Sequence, residues 1–168
     1  MNLLELLPNQ IITLNDYPVY SIPDLEKYYK LSKSNKEIAY VPVIKKDIVK
    51  KYLDKKLLKI LEAFEIENPE AKYFMLDGSH RTTAYTLTKK KVKVIIYEND
   101  QDITEAGKMV DSGKMLDNVT VLYDLKKNCE ILNKHFNIRS YFMTVEQKTI
   151  KMMDQKDLPQ YMIDDYKI

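Results

Sequence analysis

Glycine is scarce in this chain. Gly78, Gly107 and Gly113 are the only three among 168 residues, so each marks a place where the backbone has a local reason to turn. Tryptophan is absent and cysteine is represented by Cys129 alone. A single cysteine excludes an intramolecular disulfide and any multi-cysteine metal site, and it suits a reducing compartment. Cys129 itself reads as a small buried apolar residue. No apolar run approaches the ~18 residues of a membrane span, and Met1 to Pro8 carries Glu5 without a basic leader, so no membrane segment or signal peptide is expected and the cytoplasm is the default location. An excess of one charge is missing too: 27 Lys and Arg against 25 Asp and Glu leave a net charge of +2. Composition therefore predicts no polyanion-binding surface without a local patch.

Against these absences stand a hydrophobic fraction of 45% and a charged fraction of 31%, enough to bury a core in a chain of one-domain size. Tyr17 to Ile22 is β-branched and aromatic and reads as a strand leading through Pro23 into a short helix around Leu25 to Tyr29. Ala39 to Ile44 reads as a second strand, demoted towards an edge by Pro42. Lys45 to Glu65 carries apolar residues at spacings of three and four, an amphipathic helix or helix pair. After the Asn68-Pro69-Glu70 break, Lys72 to Leu76 has strand length, His80 to Lys90 has helical spacing, and Val92 to Tyr97 is a strand. Residues 72 to 97 thus read as a compact βαβ unit.

Beyond Asn99 the pattern is helical. Asp102 or Thr104 can cap a helix running to about Leu116, a second spans Val119 to Phe136, and a third runs from Thr144 to Met153 with Gln147 completing a capping box. The tail Leu158 to Ile168 is expected to dock on the body. The fold class is α/β or α+β, a small mixed sheet followed by a helical part. Its division is residues 1 to 99 as a core and 100 to 168 as a helical extension packed on it.

The segment Asp77-Gly78-Ser79-His80-Arg81-Thr82-Thr83-Ala84 turns directly from strand into helix. Such a junction presents unpaired backbone N–H groups and a positive dipole end, a site for an anion and most often phosphate. Gly78 lets the backbone approach closely, Arg81 can form a bidentate pair, and His80 can exchange a proton near neutral pH. Ser79, Thr82 and Thr83 add neutral donors. Asp77 opposes this pattern of charge, so it wants a proton, a metal or a hydroxyl. The ordinary reading is that Asp77 or Ser79 caps the helix and Arg81 pairs with a surface carboxylate. The density of the cluster favours the functional reading.

Strand, turn, Lys-rich helix end and strand together resemble the core of the ParB/sulfiredoxin superfamily, over about Tyr17 to Tyr97 and specifically over 76 to 97. The resemblance implies that Gly78, Ser79, His80 and Arg81, with Thr82 beside them, bind a nucleotide's phosphates. Sulfiredoxins carry a catalytic cysteine where Ser79 stands, so sulfinic acid reduction is not expected. Chromosome-partition relatives carry Glu-Arg where Ser79-His80 stand. The archaeal free serine kinases carry Asp-Gly-His-His-Arg, matched here at Asp77, Gly78, His80 and Arg81. That branch also has a catalytic glutamate after its first strand, for which Glu26 is the positional candidate and Asp24 the substitute.

The expected function is therefore an ATP- or ADP-dependent phosphotransferase acting on a small hydroxyl-bearing metabolite. Asp77, Glu26 and His80 would be catalytic and Mg²⁺ would neutralise phosphate charge. The alternative is a non-enzymatic module that binds a nucleotide or DNA. Thirteen tyrosines and the paired lysines from Lys45 to Lys56 and Lys89 to Lys91 read as core residues and solvated faces. His135 reads as structural, with no ligand-spaced partner.

Overall fold

In the computed structural model, which describes residues 2–14 and 19–168, the chain forms one mixed sheet with helices on both faces, the α+β class read from the sequence. The strands are β1 (Leu3–Leu6), β2 (Ile11–Ile12), β3 (Val41–Lys45), β4 (Tyr73–Met75) and β5 (Val92–Tyr97). The helices are α1 (Ile22–Lys33), α2 (Lys46–Val49), α3 (Lys55–Glu67), α4 (Ser79–Leu87), α5 (Asp100–Gly107), α6 (Leu125–Ile138), α7 (Val145–Asp154) and α8 (Gln160–Lys167). Across the sheet the order is β1-β5-β3-β4-β2. β3 runs parallel to β5 and β2 parallel to β4, while β1–β5 and β3–β4 are antiparallel.

Side chains alternate across this sheet with the period of two that a pleated strand dictates. Ile12, Ile44, Phe74, Ile95 and Tyr97 face one side, where they pack with Ile103 of α5 and with Cys129, Leu132 and Phe136 of α6. Ile11, Val41, Val43, Met75, Val94 and Ile96 face the other, against Tyr85 of α4 and Val145 of α7. A third cluster joins Leu25 and Tyr29 of α1 to Ala84 and Leu87 of α4, Met152 of α7 and Met162 of α8. The helices after residue 100 therefore share the core with the strands, and the tail docks as α8. Among the described residues no helix is long and apolar enough to cross a membrane.

Several expectations need correction. β3 is central rather than an edge strand, even though Pro42 sits in it. The Pro42 carbonyl accepts from the Leu76 N–H at 3.0 Å, and its ring nitrogen faces the same way, opposite Leu76 just past the last residue of β4. The proline therefore removes only the reciprocal bond of this terminal pair. Residues 72 to 97 are not a parallel βαβ unit, because β3 lies between β4 and β5 and those two run oppositely. Of the strand expected over 17 to 22, Tyr17 and Pro18 lie outside the described residues. Ser21 instead caps α1, its hydroxyl accepting from the Asp24 N–H at 3.3 Å.

Two short strands near the N-terminus, β1 and β2, had no expectation at all. The helix expected to run to Leu116 ends at Gly107, and the one expected from Val119 begins at Leu125 with Asp124 as its cap. Thr144 and Gln147 do form the expected capping box on α7.

Candidate functional site

β4 stops at Met75, and within three residues the chain enters α4. Gly78 makes the turn in the left-handed region, with φ 119° and ψ 31°. A Cβ there would lie 3.1 Å and 3.2 Å from the two methyl groups of Val41, so the position needs glycine for its backbone angle and for its closeness to β3. Every residue of α4 is buried, although its sequence is mostly polar. The hydroxyls make this tolerable by bonding back one turn. Thr82 Oγ1 donates to the Gly78 carbonyl at 2.8 Å, Thr83 Oγ1 to Ser79 at 2.7 Å and Thr86 Oγ1 to Thr82 at 2.8 Å. Thr82, expected as a neutral donor to phosphate, thus serves the helix and does not line the pocket described below.

Arg81 turns inward. Its side chain is 2% exposed, with Nη1 donating to the carbonyls of Ala39 at 3.1 Å and Tyr40 at 2.6 Å and Nη2 to Asp77 Oδ2 at 2.7 Å. Burial holds the guanidinium below its ordinary pKa, and the Asp77 charge opposes that shift. The same Oδ2 accepts from Asn118 Nδ2 at 2.8 Å. Asn118 Oδ1 in turn accepts from the Thr120 N–H at 3.0 Å and the Thr120 hydroxyl at 2.6 Å. Asp77 is thus a carboxylate clamped through one oxygen, and among the described residues no hydrogen bond reaches the other. The Asp77 side chain remains 41% exposed, so it faces out where Arg81 faces in.

Asp77, Gly78, Ser79, His80 and Arg81 line a cavity of about 270 Å³ with Asp24 and Tyr28 of α1. Tyr20 and Leu116 complete its wall. Among the described residues no side chain bonds to the backbone N–H groups of Ser79, His80 or Arg81, so the first turn of α4 opens on this cavity uncapped. Asp77 and Ser79 are therefore not the helix caps of the ordinary reading. α1, α5, α6 and α7 each have a side chain that accepts from an amide of their first turn.

His80 is held from two sides. Its Nε2 accepts from the Ser21 N–H at 3.2 Å, which places the proton of the neutral ring on Nδ1. Tyr20 meets the ring edge-on with centroids 4.6 Å apart. Burial lowers the His80 pKa, the Asp24 and Asp77 carboxylates raise it, and Lys148 and Arg81 lower it, for a net downward shift.

Of the two acidic candidates on α1, the structure brings Asp24 to the cavity. Glu26 does not line it; instead its carboxylate faces the Tyr161 hydroxyl of α8, which burial and then Glu26 push up. Among the described residues no group of three or more His, Cys, Asp and Glu gathers to hold a metal. The donor set does fit Mg²⁺ in the form that ion prefers, one or two carboxylates completed by substrate phosphates and water.

Asn118, Ala39 and Tyr40 were not singled out in the sequence. For Asn118 a signal existed, an Asn ahead of Val-Thr in the gap between two helical stretches, where an Asx turn belongs. The two carbonyls carry no side-chain signal. No protein-family model, no curated protein and no solved structure matches the chain.

Proposed function

We propose that this cavity takes the phosphates of an ATP- or ADP-like nucleotide with Mg²⁺, and that the chain transfers a phosphoryl group to or from a small hydroxyl-bearing metabolite. The resemblance to the ParB/sulfiredoxin superfamily, nearest to its free serine kinases, points the same way. One observation carries the reading: two carboxylates from different elements, Asp24 and Asp77, meet the uncapped first turn of α4 in one cavity. Amides at a helix start favour an anion, whereas carboxylates beside a bare phosphate repel it. Both are accommodated if a divalent cation or a substrate hydroxyl lies between them.

Asp77, fixed by Arg81 and Asn118, suits holding Mg²⁺ against the phosphates, and the ion supplies charge neutralisation there. Asp24 stands across the cavity on the first turn of α1 and suits taking the proton of the acceptor hydroxyl. Gly78, Ser79 and His80 contribute their backbone to the phosphates. Arg81 acts from beneath the turn, because its Nη1 and Nη2 already meet two carbonyls and Asp77. One feature favours the second reading, a nucleotide-binding module without turnover: His80 Nε2 is occupied by the Ser21 N–H, so this nitrogen is not free to move protons.

The test is calorimetry and turnover with ATP, ADP and CTP, each with Mg²⁺, on the parent and on Asp24→Asn. Asp77→Asn is the poorer variant, since it strips the buried Arg81 of its counter-charge. Asp24→Asn should keep nucleotide affinity and lose about 100-fold in turnover, the scale of a lost general base. Binding without turnover in the parent moves the assignment to the module, and no nucleotide binding at all removes both.

A further inference from the structure

Away from the Asp77 cavity, three hollows adjoin one another. The largest, about 430 Å³, is lined by Lys36, Lys90, Lys91 and Lys93 with Glu5 as its single acid. A second hollow shares Lys93 and adds Lys114 and Glu37. A third shares Lys90 and adds Lys33, Lys89 and Asp165. Because neighbouring hollows share a wall residue, the seven lysines form a continuous strip. It runs from the loop after α5, across the start of β5, to the C-terminal ends of α1 and α4.

The charge in this strip exceeds that of the molecule. Seven lysines against three acids leave +4, whereas the whole chain carries 27 basic and 25 acidic residues and a net +2. The rest of the protein, 20 basic and 22 acidic residues, is therefore net negative. Local pairing accounts for part of the strip. Lys33 meets Asp165 at 3.5 Å, and Lys93 lies opposite Glu5 in the β1–β5 register.

The helix ends account for a further part. α1 and α4 finish side by side, with Asn35 and Lys89 in the left-handed region at φ 55° and 58°. Lys90 Nζ joins the two ends through the Ser32 carbonyl and, at 2.6 Å, Asn35 Oδ1. Two helix C-termini amount to about one negative charge together. After that offset roughly three positive charges remain, and Lys36, Lys91 and Lys114 are exposed.

We propose that this strip is a docking surface for the phosphate backbone of duplex nucleic acid, bound without regard to sequence. A track of lysines matches a line of phosphates, where each contact acts mainly by releasing counterions. The strip lacks what a single-strand binder adds, an exposed aromatic platform for unstacked bases. The aromatics lining its hollows are Tyr85, 5% exposed, and the half-buried Tyr40, and the neighbouring half-buried Tyr166 is covered by the Lys89 ammonium, 5.1 Å from its ring centroid. None of the lysines lines the Asp77 cavity, so the surface stands whether or not that cavity turns over a nucleotide.

A 20-base-pair DNA duplex, its single strand and poly-glutamate as competitor serve as probes, with affinity measured across salt concentrations. Lys36→Glu with Lys91→Glu should weaken duplex binding at least 10-fold at low salt and make the salt dependence shallower by about two phosphate contacts. Lys55→Glu with Lys56→Glu, exposed residues on the first turn of α3, changes net charge equally and should alter neither. Lys36→Ala with Lys91→Ala repeats the test without charge reversal, and circular dichroism checks that each variant folds. Equal losses in the strip and control variants, or no duplex binding by the parent at low salt, overturn the proposal. So does tighter binding of the single strand, or displacement of labelled duplex from the parent by poly-glutamate as readily as by unlabelled duplex at matched charge.

Discussion

Burial of His80 gives the fold a pH dependence with a definite sign. The folded state holds this imidazole below its ordinary pKa, chiefly by desolvation, while the unfolded chain titrates near about 6.5. The unfolded state therefore binds the proton first as pH falls. The neutral ring's contribution to stability is complete above about pH 6.5 and is lost below it, down to the depressed folded pKa. Protonation would also set a ring N–H against the Ser21 N–H that Nε2 now accepts. Equilibrium unfolding at about pH 7.5 and about pH 5.5 should show the parent losing more stability than His80→Gln across that interval. Equal losses would mean that other groups carry the acid sensitivity. At this scale the turn was legible, since Asp77, Gly78 and His80 do gather at a cavity. The direction of Arg81 was not, because its partners lie on a loop some forty residues earlier and carry no side-chain pattern.

The entry into α4 depends on Gly78 for two separable reasons, and a pair of substitutions divides them. Gly78→Ala forces a β-carbon into φ 119° and against Val41 at 3.1 Å, which should cost about 2 kcal/mol in urea unfolding. Adding Val41→Ala to that variant removes the steric part and leaves the backbone part, so partial recovery relative to Val41→Ala alone is expected. Full recovery would show that the left-handed turn costs nothing here.

Elements whose signals are local were readable from the sequence. The α7 capping box is written in Thr144 and Gln147, and β5 in its run of apolar residues. Elements whose placement is decided by neighbours were not. β2 is only two residues long and exists because β4 lies beside it. Pro42 disguised a central strand because its missing donor falls in the terminal pair with Leu76, just past the last residue of β4. The helices expected to reach Leu116 and to start at Val119 overrun the observed Gly107 and Leu125, because nothing local separates a solvated helix from the turns between α5 and α6.

For the molecule as a whole, the division at residue 99 is a change of pattern along the chain rather than of core. Phe136 meets Phe74 edge-on with ring centroids 5.6 Å apart, and Phe142 does so at 5.9 Å. Ile103, Cys129 and Leu132 cover the same face of the sheet. Removing residues 100–168 would open that face to water at about 25 cal/mol for each Å² exposed, and it would delete Asn118 from the carboxylate clamp. A chain ending at Asn99 should therefore lack a cooperative unfolding transition and well-dispersed amide resonances. If it unfolds cooperatively with the parent's strand signature, the sheet is sufficient alone and the later helices are an appendage.

The clamp on Asp77 also sets an order of events in time. The turn is local in sequence, but it is completed by residues 39, 40 and 118, drawn from one loop before it and one well after it. Contacts across some forty residues form only after the intervening chain has closed its loops. During synthesis on the ribosome, residues 77 to 81 emerge while Asn118 is still to be made. A nascent or nicked chain can display the motif without the fixed carboxylate, so the site's geometry reports that synthesis has passed Asn118 and that its loop has docked.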